Sequence, residues 1–340
     1  MSIRSWLAVS MALVGQLSTA APLSDLSGGQ TGRIEFLSAT PEHRWAVIRG
    51  RLGPATPIAG DLLMPATPTT KVPAVVFSHG SEGVSSLYYD VWATALNRAG
   101  FAVFVIDSFK SRGEDKVTGP TKQLAWNTAA NLADSLYALK LLSTHPQIDS
   151  TRIFHMGWSR GGQVVLDAAW PTYQQHILPT GVKWAGSIAL YPGCNMRYRV
   201  DQHSPLPASL LLLLGDKDDL TPAKPCIEYA EELAAAGNAV SFKVYPGAYH
   251  VFDRLNQPWR QYREGNYNLC SLDFRMPSGA SDTTFGNGRD KYSGTTVKSP
   301  KEWSEYFPKC QQATYVTVES NPKAREAAVK DTLEFLQSPR

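Results

Sequence analysis

The amino-acid sequence predicts an α/β fold: a mostly parallel central sheet with helices on both faces. Two observations predict it. Short continuous apolar runs, such as residues 74–78 (AVVFS) and 101–106 (FAVFVI), read as strands buried on both faces. These runs alternate with segments of helical periodicity, as parallel strands joined by crossover helices require. One long, loop-rich insertion before the C-terminal helix breaks the alternation. The 340 residues, 43% of them hydrophobic, suit one large core, so residues 21–340 are expected to form a single domain.

In order along the chain, residues 45–48 and 58–64 read as strands, and the Pro/Thr-rich 65–72 as a turn. Residues 86–99 read as a helix with Gly100 at its C-terminal end. Leu124, Thr128, Leu132, Leu136 and Leu139 fall at helical spacing in one long segment ending near Ser143. Strand 152–156, helix 161–169, strands 185–191 and 209–214, helix 224–236 and strand 241–245 follow. An amphipathic helix over 323–336 closes the chain. Residues 254–319 are rich in Gly, Ser, Asn, Thr and Tyr, and read as an irregular excursion of functional or mobile character.

The net charge of +3 is small and dispersed, which argues against a nucleic-acid partner. Arg4, an apolar stretch from Trp6 to Leu17, and the small residues Ser18, Thr19 and Ala20 follow the order of a signal peptide. Residues 1–20 are therefore expected to be removed, with export to the periplasm or medium; a buried N-terminal helix is the alternative. No later segment reads as a membrane span. In an oxidising compartment the even set Cys194, Cys226, Cys270 and Cys310 predicts two disulfides, with three pairings open. Cys270 and Cys310 both sit in the excursion and are expected to tie it down. No Cys/His spacing suits zinc, so no metal is expected.

The chemistry centres on Gly157-Trp158-Ser159-Arg160-Gly161-Gly162, between a predicted strand and a predicted helix. That is the setting of a G-x-S-x-G nucleophile elbow, whose glycines permit a sharp turn that lifts the serine above the sheet. An N-cap serine in an ordinary strand-to-helix turn is the competing reading. As nucleophile, Ser159 needs a base, and α/β-hydrolases order the triad Ser, acid, His along the chain. Of seven histidines only His250 follows the acid candidates. Those lie in the loop after the 209–214 strand. Asp216 is expected to turn the chain and Asp219 to cap the next turn, leaving Asp218 as the favoured acid. The oxyanion is expected between the backbone N–H groups of Arg160 and Ser81. His79 reads as a structural loop residue. Tyr88, Trp158 and Tyr249 are candidates to line the substrate pocket, and each also reads as packing. Asp107 and Arg112 are expected to pair at the rim, and Glu82 to hydrogen-bond within its loop.

These residues together resemble the dienelactone hydrolase family of α/β-hydrolases. The matching pieces are residues 73–83 (PAVVFSHGSEG), Asp107-Ser108-Phe109 with Arg112-Gly113, and 156–162 (MGWSRGG). Tyr191-Pro192-Gly193-Cys194, the 218–222 loop, residues 246–250 and the closing helix continue the likeness. It spans roughly residues 55–253 and the last twenty or so. The resemblance implies the α/β-hydrolase fold, a Ser/Cys-His-Asp triad matching Ser159, His250 and Asp218, no metal and no cofactor. It also implies a small-molecule ester or lactone as substrate. The family archetype carries cysteine where this chain has Ser159, which favours broader carboxylester chemistry over dienelactone itself. Cys194 and Cys226 both follow strand ends near the expected site, so one disulfide is predicted there, bracing the Asp218 loop. Two rivals compete: a serine peptidase of prolyl-oligopeptidase type, although no propeller-like repeats occur, and a non-catalytic binding protein on the same fold.

Overall fold

The computed structural model describes residues 21–66, 70–199, 206–275, 288–291 and 293–338. The expected leader, residues 1–20, lies outside them. Nine strands precede the excursion: β1 (Gly32–Ala39), β2 (Ala55–Leu63), β3 (Val72–Ser78), β4 (Ala102–Asp107), β5 (Ile148–Trp158), β6 (Gly186–Leu190), β7 (Met196–Arg199), β8 (Ser209–Gly215) and β9 (Val240–Tyr245). All but β7 form one eight-stranded sheet in the order β1-β2-β4-β3-β5-β6-β8-β9. The β1–β2 and β2–β4 pairings are antiparallel and the others parallel.

The apolar runs are continuous because both faces of the sheet are covered. Val76, Phe104, Leu210 and Leu212 face one core, with Leu132 and Leu136 of helix Thr128–Leu142, Val164 of helix Arg160–Ala168 and Leu233 of helix Ala223–Ala235. Their neighbours Val75, Phe77, Val103, Leu211 and Leu213 face the other, with Trp92, Leu96, and Ala328 of the closing helix Pro322–Gln337.

Three local expectations differ from the structure. Residues Arg44–Ile48 form a short helix, capped by His43 Nδ1 accepting from the Ala46 N–H at 3.0 Å. All five are buried, and the apolar run from Trp45 to Ile48 is too short to carry a period that separates strand from helix. The 86–99 segment is a π-helix over Leu87–Ala93 continued by an α-helix over Thr94–Arg98. The long helix expected around 124–143 is two helices, Pro120–Ala125 and Thr128–Leu142, and the Asn127 side chain caps the second.

The described residues of the excursion carry regular secondary structure rather than irregular loop alone. It contains β10 (Arg260–Asn266), β11 (Leu272–Arg275), β12 (Gly288–Asp290), β13 (Thr296–Val297), a helix over Pro300–Cys310 and β14 (Gln312–Val318). β10 pairs with β14 as an antiparallel ribbon. A second sheet, β13-β12-β11-β7, anchors the excursion to the core through the parallel β11–β7 pairing. The Cys270–Cys310 disulfide closes it, and Cys194–Cys226 forms the other bridge. Both expected pairings are present.

Candidate active site

Ser159 stands between the end of β5 and the helix Arg160–Ala168, with φ of 52° and ψ of −114°. A non-glycine residue holds such a conformation only where its surroundings impose it. Here close backbone contact does so. A Cβ on Gly157 would fall 2.2 Å from the Gly161 carbonyl oxygen, and one on Gly161 would fall 1.9 Å from that of Ser78. The Ser159 N–H donates to Leu190 O at 2.9 Å, fixing the turn to the next strand.

The loop after β9 places His250 over this turn. His250 Nε2 lies 3.0 Å from Ser159 Oγ, and Nδ1 lies 2.7 Å from Asp218 Oδ2. His250 and Asp218 are both buried. The second Asp218 oxygen accepts the N–H groups of Leu220 and Thr221, at 3.0 and 2.8 Å. Asp218 thus orients the imidazole and also caps its own loop, the task expected of Asp219. Asp219 instead accepts from Thr317 of β14. Asp216 is exposed. The Thr221 hydroxyl, 3.0 Å from both Asp218 Oδ2 and His250 Nδ1, donates to Tyr191 O. The Tyr191 ring meets the His250 ring edge-on at 4.7 Å.

The loop after β3 lies against the elbow. A Cβ on Gly80 would sit 3.3 Å from Trp158 O, and the Gly80 N–H donates to the Tyr88 hydroxyl at 2.9 Å. Ser81, Tyr88, Trp158 and Glu264 line a small cavity together with Ser159 and His250. Tyr249 is not among the residues lining the cavities beside Ser159. Ala248 and His250 on either side are the buried ones, leaving Tyr249 partly exposed. His79 bonds Gly80 O through Nδ1 at 2.8 Å and accepts the Ser108 N–H through Nε2 at 3.1 Å. Arg112 does not meet Asp107: both its terminal nitrogens reach Asp134 at 2.8 Å, whose charge is nearly inaccessible to water. Asp107 accepts the Phe109 and Lys110 N–H groups. Glu82 forms an ion pair with Arg254.

A larger cavity of about 180 Å³ opens on the other side of Ser159, between the core and the excursion. Arg44, Arg160, Trp126, Tyr267 and Phe307 help to line it, and none of its lining residues is acidic. Arg44 is neutralised by Asp167 at 2.8 Å. The partners of the Arg160 guanidinium are neutral: Ser81 Oγ at 3.1 Å, Gln123 O at 3.0 Å and Gln123 Oε1 at 3.2 Å. Burial pushes this side chain down to about 10. The walls contributed by the excursion carried no sequence signal, since they reach the site only through tertiary pairing. Among the described residues, no group of three or more His, Cys, Asp or Glu is placed to hold a metal ion, and no helix is long and apolar enough to cross a membrane.

The family model described as the dienelactone hydrolase family matches residues 58–269. The chain is 25% identical over 190 residues to a Bradyrhizobium protein named "Probable 2-oxo-3-(5-oxofuran-2-ylidene)propanoate lactonase", covering 54% of this chain and 75% of that one. Among solved structures it is similar to Thermogutta terrifontis esterase 2 phosphoramylated by tabun, at 16% identity and a TM-score of 0.48, over 59% of this chain and 82% of that one. The propionate-bound form of the Thermogutta esterase gives 16% identity and a TM-score of 0.47 over the same shares.

Proposed function

The chain belongs to the dienelactone hydrolase family of α/β-hydrolases and is a carboxylic ester hydrolase, and we propose that Ser159, His250 and Asp218 carry out the hydrolysis. The observation that carries this reading is the unbroken line Ser159 Oγ–His250 Nε2, His250 Nδ1–Asp218 Oδ2. Ser159 attacks the ester or lactone carbonyl while His250 takes its proton. Asp218 holds the productive tautomer and stabilises the imidazolium. The N–H of Arg160, at the start of its helix, and that of Ser81 receive the oxyanion. His250 returns its proton to the leaving oxygen, which leaves an acyl group on Ser159. It then draws a proton from water, whose oxygen attacks the acyl carbon, and passes that proton to Ser159 Oγ as the acid leaves.

The substrate is an ester or lactone that also carries a carboxylate. Arg160 supports this: a half-buried cation whose hydrogen-bond partners are all neutral, facing a cavity without acidic walls, is well placed to take an anion from outside. The Bradyrhizobium relative is named for a lactone bearing a propanoate group, in agreement. We further assign residues 1–20 as an export signal, and the two disulfides support an oxidising compartment.

Replacing Ser159 by Ala tests the reading. Turnover of p-nitrophenyl acetate should disappear while the melting temperature holds. Near-normal turnover in that variant would exclude Ser159 as nucleophile.

A further inference from the structure

Asp253 lies three residues after His250 and is wholly buried. Its Oδ2 accepts the indole N–H groups of Trp92 at 2.8 Å and Trp158 at 2.9 Å, and its Oδ1 accepts the Tyr191 hydroxyl at 2.7 Å. All three donors are neutral. The neighbouring Arg254 turns away to pair with Glu82. A buried carboxylate whose hydrogen-bond donors are all neutral is costly, and a core position does not need one.

The three donors come from three different elements, and two of them adjoin the reacting groups. Trp158 immediately precedes Ser159. Tyr191 presents its ring edge to His250, and its carbonyl accepts the Thr221 hydroxyl beside Asp218. Trp158 also packs edge-on against Tyr88 at 4.9 Å, and Tyr88 receives the Gly80 N–H of the loop that carries Ser81. Elbow, base loop, acid loop and oxyanion loop therefore converge on one side chain. Backbone strain gathers there too. Of the four non-glycine residues with positive φ among those described, Ser159 at 52°, Tyr191 at 36° and Val251 at 59° lie at these junctions.

We propose that Asp253 is a positioning residue for catalysis: its buried carboxylate clamps Trp158, Tyr191 and Trp92, fixing the strained elbow against the base, and its charge favours the imidazolium that His250 becomes during the reaction. This rests on the triad reading given above. Asp253 touches no reacting atom and acts through Trp158 and Tyr191.

The Asp253→Asn variant of the full chain isolates the charge. The amide oxygen can accept both indoles, and the amide N–H₂ can donate to Tyr191, whose hydroxyl rotates to accept. The groups facing His250 stay as they are: Asp218, Tyr191, Tyr88, Glu82, Arg254, Arg260, Tyr262 and Glu264. With p-nitrophenyl acetate, kcat should fall about 3- to 10-fold with KM nearly constant. The acid limb of kcat/KM should move about half a pH unit lower, because the imidazolium has lost a favourable charge. An unmoved acid limb with unchanged kcat overturns the proposal, as does an activity loss that only follows the unfolded fraction. Should Asp253→Asn not fold, Tyr191→Phe decides. It removes only the hydroxyl bonded to Oδ1 and should lower kcat about 3-fold or more at constant KM; unchanged kcat overturns the clamp. Labelling of wild-type Ser159 by a fluorophosphonate tests the underlying triad separately. No labelling sinks the triad, whereas labelling with an inert Asp253→Asn change sinks only this proposal.

Discussion

The Asp219 carboxylate accepts both the backbone N–H and the side-chain hydroxyl of Thr317, each at 2.8 Å. This joins the loop that carries Asp218, the proposed acid, to β14, the last strand of the excursion. The same strand touches the base loop, through a bridge between Val318 and His250. The excursion is thus a brace on two members of the proposed triad as well as a wall of the cavity. Asp219→Ala should lower stability by about 2 kcal/mol, from two hydrogen bonds to a charged acceptor. It should also reduce kcat, as the Asp218 loop loosens. Thermal melts and steady-state kinetics read both; an unchanged melting temperature would show that Thr317 does not hold the loop.

Asp218→Asn keeps an oxygen to cap Leu220 and Thr221 but can present an N–H₂ to His250 Nδ1. The imidazole is then driven to the wrong tautomer. A fall in kcat of about 10³- to 10⁴-fold is expected, with little loss of stability. Activity within an order of magnitude of wild type would mean that another carboxylate serves the imidazole.

Arg160 has two proposed roles, its backbone N–H toward the oxyanion and its side chain toward the cavity, and mutation separates the two. Arg160→Gln leaves the N–H in place. For an ester that carries a carboxylate, kcat/KM should drop about 10- to 100-fold, while a neutral ester changes by about 3-fold or less. Equal losses on both substrates would remove the carboxylate from the proposed substrate.

Acid should destabilise the fold through His155. Its Nε2 pairs with Ser78 Oγ at 2.8 Å, its Nδ1 is buried without a partner, and its ring stacks on Trp184 at 4.5 Å. Burial pushes its pKa from 6.5 to about 3. Between those values the unfolded chain binds a proton that the folded one refuses. The stability tied to this residue is therefore complete above pH ~6.5 and is lost as pH falls toward ~3, at about 1.4 kcal/mol per pH unit. Burial lowers His79 in the same direction. Urea unfolding at several pH values should show the slope, and His155→Asn should flatten it; an identical slope in the variant would place the acid sensitivity elsewhere.

The legible features share a physical origin. Residues 74–78 and 101–106 announced themselves because a strand covered on both faces must be apolar throughout. The elbow was legible because only glycine fits where Gly157 and Gly161 meet neighbouring backbone. His250 was legible from chain order alone. Residues Arg44–Ile48 were misread because a short apolar run has no diagnostic period. The excursion was misread because its short strands, such as RQYREGN in β10, find hydrogen-bond partners far along the chain and leave no local pattern.

From the sequence alone came the parallel sheet, the expectation that Ser159 and His250 are nucleophile and base, and the expected cysteine pairings, since each depends on local composition, chain order or position beside a strand end. Tertiary structure decided the rest. It set Asp218, the acid the sequence already favoured, against His250, gave Asp219 to a strand almost one hundred residues away, turned Arg160 toward a cavity without acidic walls, and gathered Trp92, Trp158 and Tyr191 around Asp253. Side-chain hydrogen bonds reach about 3 Å, so which carboxylate meets which donor is settled only once distant segments have packed.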